Sequence, residues 1–268
     1  MACGALVASG TFAFSATAHE EEGPSRPECE GIHSLANPLP DSCLGPIDTD
    51  RPHQTDTPHV VPAGHTQYEI ALGMVDLGGV VSGPSAGSAP RFVFFENMYK
   101  FGLVSNVDFQ VIVTHAAYDT KVRRLEPQGP VTLRTKINVL REDGFVPALT
   151  FVPHLAIPMS PADGVLGGTS IFLCWDLPLG FEVEANVGAF VEAGKPGVSP
   201  LLASAITRQV VGPLSAYFEG VVFGQERALG SGLLLRVGRD VQLDAGSYVG
   251  LAGDRARATP FLGLSFRR

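Results

Sequence analysis

The chain has 268 residues, of which 45% are hydrophobic and only 17% are charged, and its formal net charge is −8. This charged fraction is below the roughly 25% usual for soluble domains, and the chain also carries 31 glycines and 16 phenylalanines, so the composition favours strands that cross an apolar phase. Lys and Arg form no basic patch, which excludes an electrostatic footprint for nucleic acid.

The first segment is typical of an export signal. Residues 2–17 are uncharged and rich in small and apolar side chains, and they end at Ala16-Thr17-Ala18, followed by His19 and three Glu. An apolar run before an A-x-A cleavage site is the pattern of a signal peptide. No Lys or Arg follows Met1, so we interpret residues 1–18 as a signal peptide truncated at its start. A short buried N-terminal element is the alternative.

Residues 19–63 are polar, contain seven prolines before Val60 and show no sustained periodicity. We expect an irregular segment, either periplasmic or acting as a plug inside a barrel. Cys29 and Cys43 flank a short stretch of this segment, and in an oxidising compartment the two could form a disulfide. Two free thiols are the alternative.

A block of acidic and imidazole side chains ends this segment. Its members are Asp48, Asp50, His53, Asp56 and His59. Such side chains can bind a divalent metal, but Asp and Thr before Pro also form turns by bonding to nearby backbone. Arg51 would repel a cation while it pairs with an Asp. We therefore expect a rigid, hydrogen-bonded lead-in at the periplasmic rim or inside the lumen, without metal.

From Gly64 onward, stretches of about ten residues alternate between apolar and polar side chains, and turn-forming residues separate them. The predicted strands are 65–76, 90–101, 107–119, 130–141, 145–157, 169–178, 180–192, 201–211, 213–226, 230–239, 240–251 and 257–266. An even number of strands of about 9–11 residues is typical of bacterial outer-membrane barrels. The predicted fold class is all-β, a transmembrane antiparallel β-barrel of about twelve strands over residues 64–268. A soluble sandwich with its charges facing water is the alternative.

Each strand has one apolar face and one face with charges; in 180–192, for example, Val183 and Val187 oppose Glu182 and Glu184. We assign the charged face to the lumen, where it would line a transport path. The predicted lumen residues are Gln67, Glu69, Glu96, Lys100, Asp108, Arg134, Lys136, His154, Asp176, Glu182, Glu184, Glu219, Arg236 and Asp244. Both signs of charge occur, so the lumen is either a cross-linked network or a narrow polar path.

The sequence gives no sign of catalysis. No G-x-S-x-G elbow of an acyl hydrolase is present. Glu182 and Glu184 share one strand face, and a solvated lumen accounts for them. We predict that the protein is not an enzyme and uses no cofactor.

Three stretches are similar to motifs of a known family. They are Asp48-Thr49-Asp50-Arg51-Pro52-His53-Gln54-Thr55-Asp56-Thr57-Pro58 continuing through Val61 to Glu69, then Asn186-Val187-Gly188, and last Val241-Gln242-Leu243-Asp244 with Gly263-Leu264-Ser265-Phe266. Over roughly residues 48 to 268 the chain resembles outer-membrane transporters labelled after the MetA pathway of phenol degradation. Asp50, Arg51, Pro52 and Asp56 match the N-terminal motif.

The chain departs from that family in two places. Ile157-Pro158-Met159-Ser160-Pro161 stands where the family has LPTG, and Arg267-Arg268 follows Phe266 where members end on an aromatic residue. The resemblance implies an outer-membrane barrel that moves small, aromatic compounds.

The predicted function is therefore an outer-membrane channel or transporter for small molecules of hydrophobic or aromatic character. The alternatives are a non-conducting structural or adhesive barrel and a secreted soluble β-sandwich binding module. Expected partners are outer-membrane lipid, a small-molecule substrate and the barrel assembly machinery, with no nucleic acid.

Overall fold

The computed structural model describes residues 27–268 except 53, 77–90, 120–122, 127–128, 160–163 and 252–256. The strands are β1 (Thr66–Asp76), β2 (Arg91–Val104), β3 (Val107–Asp119), β4 (Arg124–Glu126), β5 (Val131–Leu140), β6 (Ala148–Ile157), β7 (Leu166–Leu177), β8 (Phe181–Glu192), β9 (Ser199–Val211), β10 (Leu214–Phe223), β11 (Glu226–Val237), β12 (Val241–Gly250) and β13 (Arg257–Arg267). Single 3-10 turns lie at Pro27–Cys29, Asp41–Cys43 and Pro178–Gly180. The described residues include no helix that is long and apolar enough to span a membrane. The predicted signal peptide lies outside the described residues.

The sheet closes on itself. Every strand pairs antiparallel with its neighbours, and β1 pairs with both β2 and β13, which joins the first strand to the last. Apart from the three-residue β4, which pairs with β3, the ring has twelve strands. The predicted twelve-stranded barrel is confirmed, with strand bounds close to those expected. The two-sheet sandwich is wrong, because a single closed sheet forms the wall.

The polarity of this wall is the reverse of that of a soluble domain. In β8, Val187 and Val191 are about half exposed, whereas Glu184 and Asn186 are buried inside. Large apolar side chains lie on the outer surface of β1 and of β5 to β13, among them Leu72, Val139, Leu155, Ile171, Val187, Ile206, Phe218, Leu233, Leu243 and Leu262. Soluble monomers rarely expose apolar patches above a few hundred Å². An apolar exterior around a polar interior is the arrangement of a barrel that faces lipid.

The two ends of the barrel differ in the length of their connections. One end, here called the turn end, carries the start of β1, the end of β13 and the connections 105–106, 141–147, 178–180, 212–213 and 238–240. The other, the loop end, carries 77–90, 120–130, 158–165, 193–198, 224–225 and 251–256. In bacterial barrels the shorter turns face the periplasm and the longer loops face outward.

The segment before β1 first lies on the turn end and then enters the barrel. Residues 27–46, the cap, bond to the rim: the Leu35 N–H donates to the Leu103 carbonyl. Cys29 and Cys43 form the disulfide that the sequence left open. Residues 47–52 and 54–61, together called the plug, run inside the wall, where Ile47 and Val61 at its two ends are buried.

Candidate functional site: the plug and the chamber above it

Carboxylates of the wall hold the backbone of the plug. Glu69 on β1 accepts the N–H groups of Asp50 and Arg51 at 3.2 and 2.8 Å. Glu219 on β10 accepts the N–H groups of Gln54 and Thr55 at 2.9 and 3.1 Å. An irregular segment has no ladder partner for its N–H groups, and such groups must be satisfied when they are buried. The wall supplies the acceptors.

Amide and carboxylate groups continue this bonding along the plug. Asn186 on β8 accepts the Asp56 N–H at 2.6 Å and donates its amide to the Asp56 carbonyl at 2.9 Å. Asp108 on β3 accepts the Val61 N–H at 2.9 Å. Because these partners lie on different sides of the ring, the plug spans the lumen.

Asp50 is the electrostatic centre of the plug. Its carboxylate lies 2.6 Å from the Lys100 ammonium, 2.9 Å from the Arg134 guanidinium and 2.5 Å from the Lys136 ammonium. Burial by itself would raise the pKa of Asp50. The attraction of Lys100, Lys136 and Arg134 outweighs burial and holds the pKa of that carboxyl well below its usual range.

The cations of β5 also bind other parts of the plug. Arg134 donates to both carboxylate oxygens of Asp56 at 2.7 and 3.0 Å and to the side chain of Gln110. A two-pronged contact between guanidinium and carboxylate is both strong and directional. Lys136 donates to the carbonyls of Thr57 and His59 at 2.6 and 3.2 Å. These two cations therefore bind the plug instead of standing free in an open lumen.

Arg51 joins the plug to β12 and β13. Its guanidinium lies 3.2 Å from Asp244 and 5.8 Å from the centre of the Phe261 ring. Gln242 donates its amide to the Thr49 hydroxyl at 2.7 Å and to the Arg51 carbonyl at 3.1 Å. The carboxylate that pairs with Arg51 thus comes from the far end of the chain and not from the neighbouring acidic block.

A cavity of about 360 Å³, the chamber, lies between the plug and the loop end. It is lined by Met74, Met98, Tyr248 and Phe261 together with Asp50, Arg51, Pro52, Gln54, Asp56, Glu96, Ala228, Gly250 and Thr259. The rings of Tyr248 and Phe261 stack at 5.0 Å between centroids. The chamber therefore has a wall of mainly thioether, aromatic and small side chains that also includes Glu96, and a polar floor made by the plug.

A smaller cavity of about 140 Å³ lies on the other side of the plug, near the turn end. Its lining includes Asp48, Thr57, Glu182, Arg236 and Gln242. The plug thus separates two cavities within the same barrel.

The structure brings most of the predicted lumen residues onto the plug. Those that bond to the plug directly or through its ion pairs are Gln67, Glu69, Lys100, Asp108, Arg134, Lys136, Glu219 and Asp244. Glu96 lines the chamber, and Glu182 and Arg236 line the smaller cavity.

The three remaining predicted residues lie elsewhere on the inner face of the wall or at its rim. Glu184 is buried inside the wall. His154 is 2.6 Å from the Ser170 hydroxyl, and its ring packs against Phe190. Asp176 is exposed at the turn end, where its backbone N–H donates to Glu142.

Sequence reasoning missed the uncharged contributors. Thr150 donates to the Pro58 carbonyl, Tyr248 donates to the Pro52 carbonyl, and Gln110 binds Arg134. Charge was the main signal used to choose lumen residues, so the hydroxyl and amide side chains other than Gln67 were left out of that prediction. Among the residues that the structure describes, Cys174, Asp176 and Glu182 could hold a metal, since their ligand atoms lie within 4.8 Å of one another.

No family model and no curated protein matches this chain. Among solved structures, it is similar to a KdgM porin, at 7% identity and a TM-score of 0.48 over 75% of this chain and 98% of that one. A KdgM porin in complex with disordered oligogalacturonate gives 8% identity and a TM-score of 0.47 over 75% and 98%. The transport unit of the autotransporter AIDA-I from Escherichia coli gives 10% identity and a TM-score of 0.42 over 82% of this chain and 92% of that one. Identities at this level concern the fold alone.

Proposed function

We propose that the protein is a bacterial outer-membrane barrel that takes up small, uncharged, apolar or aromatic molecules through the chamber at its loop end. The observation that carries the proposal is the reversed polarity of the closed wall, with apolar side chains outside and charges inside. Exposing so large an apolar surface to water would cost free energy, whereas contact with lipid would not. The polar interior then has to be either filled or hydrated.

The chemistry of the chamber favours an apolar solute. Met74 and Met98 offer flexible, polarizable thioethers that adapt to different shapes. Tyr248 and Phe261 offer stacked rings on which a further ring can pack. The floor charges are already compensated, because Arg51 pairs with Asp244 and Asp56 pairs with Arg134. A charged solute would therefore lose its hydration without gaining an unpaired partner.

The plug argues against a wide ion pore. The bonds of residues 50–61 to β1, β3, β5, β8, β10 and β12 fill the middle of the lumen. The same bonds favour a second candidate, a non-conducting barrel with a structural or adhesive role. The two candidates differ in whether the chamber binds and delivers a solute.

Naphthalene is a suitable probe because it is small, uncharged, aromatic and fluorescent. We expect purified protein to bind naphthalene and cells expressing it to accumulate naphthalene faster than vector-only cells. Met74→Glu places a charge in the chamber and should abolish both. Met159→Glu is the matched control, because Met159 is exposed outside the chamber near the loop end. Binding and uptake that are absent from the wild type would favour the structural barrel. Binding and uptake that are present in the wild type and unchanged in Met74→Glu would overturn the chamber as the binding site.

A further inference from the structure

The wall of the chamber has a break in its hydrogen-bonded ladder. From Gln67 to Ala71, β1 pairs with β13 in one register, and at Gly73 the register shifts by one residue, which leaves Leu72 without a partner in β13 among the described pairings. On the other side of β1, the pairing with β2 stops at Ala71 and resumes at Met74. Leu72 thus has no described ladder partner on either side of β1, and Gly73 has one on the β13 side alone.

The break is a β-bulge that changes which side chains face inward. Ala71 is buried inside and Leu72 is 44% exposed on the outer surface. Strict alternation would turn Met74 outward, yet Met74 lines the chamber and packs against Phe261. A bulge inserts one extra residue and leaves it unpaired, and here the extra residue falls at Leu72–Gly73.

The bulge lies deep in the apolar belt. Gly73 pairs with Leu262, the central residue of β13, and Leu262 is 59% exposed on the outer surface. Unpaired backbone groups at this depth are tolerated in membrane proteins only where they are buried in protein or line a hydrated cavity. Met74 and Phe261, the next pair along the ladder, line the chamber. The bulge therefore lies in the wall between the chamber and the surrounding lipid.

Two features make this boundary weak. A Cβ added at Gly73 would meet nothing within 4 Å, so no side chain fills the outer surface there. The ladder between β1 and β13 ends at Met74 and Phe261, and the residue before Phe261 is Pro260, which has no N–H to donate. The wall can open at this point with the loss of few hydrogen bonds.

We propose that a solute bound in the chamber leaves sideways through the wall at Leu72–Gly73 and enters the membrane. The straight path along the barrel axis runs into the plug, whose residues Asp50, Arg51, Pro52, Gln54 and Asp56 form the chamber floor. The lateral path requires an apolar solute, and for that reason this inference rests on the proposed function. Leu72, Gly73 and Leu262 form the mouth of the exit.

The test attaches a removable block to the mouth after the protein has folded. Gly73→Cys fits the space at this position and can be labelled with benzyl methanethiosulfonate, an apolar thiol reagent. Val187→Cys is the matched control, because Val187 is exposed at mid-height on β8, six strands around the ring from β1. Wild type treated in the same way controls for the native cysteines; of those described, Cys29 and Cys43 are disulfide-bonded and Cys174 is buried.

Labelled Gly73→Cys should still bind naphthalene but lose uptake into cells, and uptake should return when a reductant removes the label. Labelled Val187→Cys should retain both binding and uptake. Uptake that is equal before and after labelling of Gly73→Cys would overturn the lateral exit while leaving the proposed function in place. Absence of binding and uptake in the unlabelled wild type would overturn the proposed function and the exit with it.

Discussion

Asp50→Asn tests whether ion pairs keep the plug seated. The substitution keeps the size of the side chain and removes the charge shared by Lys100, Arg134 and Lys136. Lys100 still has Glu69 and Arg134 still has Asp56. Lys136 then retains the carbonyl oxygens of Thr57 and His59 and the face of the Phe172 ring, and loses its described salt bridge. The cost should therefore be close to that of one broken buried ion pair.

Removing one partner of a buried pair costs about 3–5 kcal/mol, which corresponds to a roughly 10²–10⁴-fold increase in the population of the unseated plug. Amide hydrogen exchange of peptides covering residues 47–61 measures that population, because exchange through local opening reports its free energy. Asp143→Asn, at an exposed site in the 141–147 connection, is the matched control. Adding Lys136→Met to Asp50→Asn should recover part of the loss, since it removes the uncompensated cation. Exchange equal to wild type in Asp50→Asn would refute the reasoning.

Three further predictions concern the lipid face, acid and the cap. Ile206→Arg, near the middle of β9, should destabilise folding into bilayers by about 2–4 kcal/mol. Val210→Arg, on the same outer face near the turn end, should destabilise it by about 0–1 kcal/mol. Equal losses of the folded fraction in the two variants, measured by heat-modifiable gel migration, would contradict a lipid-facing wall. The pKa of Asp50 is held below its usual 3.8. The Asp50 carboxylate should therefore stabilise the seated plug fully above about pH 4, and this stabilisation should be lost only as the pH falls further. Plug release with a midpoint near neutral pH, measured by hydrogen exchange corrected for intrinsic rates, would argue against this cluster. Replacing Cys29 and Cys43 with Ser should weaken the cap by about 3 kcal/mol, seen as faster proteolysis within residues 27–46 with unchanged gel migration of the barrel.

The strands were predictable from the sequence because alternation is a local property. The alternation within each strand shows which of its faces is polar, as in β8, where Glu182 and Glu184 lie opposite Val183 and Val187. The prediction for 107–119 matches β3 at both ends. The three-residue β4 was missed, because so short a segment shows no alternation.

The site was less predictable from the sequence because its contacts join distant parts of the chain. Arg51 and Asp244 are 193 residues apart, and Asp50 and Arg134 are 84 residues apart. The sequence predicts that Arg51 pairs with an aspartate but offers several nearby candidates and no reason to choose Asp244. The chamber was missed for another reason: the bulge at Leu72–Gly73 turns Met74 inward, against the alternation from which inward faces were assigned. Whether the predicted lumen residues form a transport path stays a prediction.

The order of the plug and its partners along the chain determines when the interior can form. The plug precedes every strand, yet Glu219, which holds the N–H groups of Gln54 and Thr55, lies about 165 residues later, and Asp244 follows on β12. Contacts of such long range form late, because the entropy of closing the intervening chain must be overcome first. Until β10 and β12 are in place, the N–H groups of Gln54 and Thr55 and the guanidinium of Arg51 lack these carboxylates, and seating the plug exchanges their water for Glu219 and Asp244. The last step of folding is thus an exchange of polar partners, whereas a soluble domain usually ends by excluding water from an apolar core.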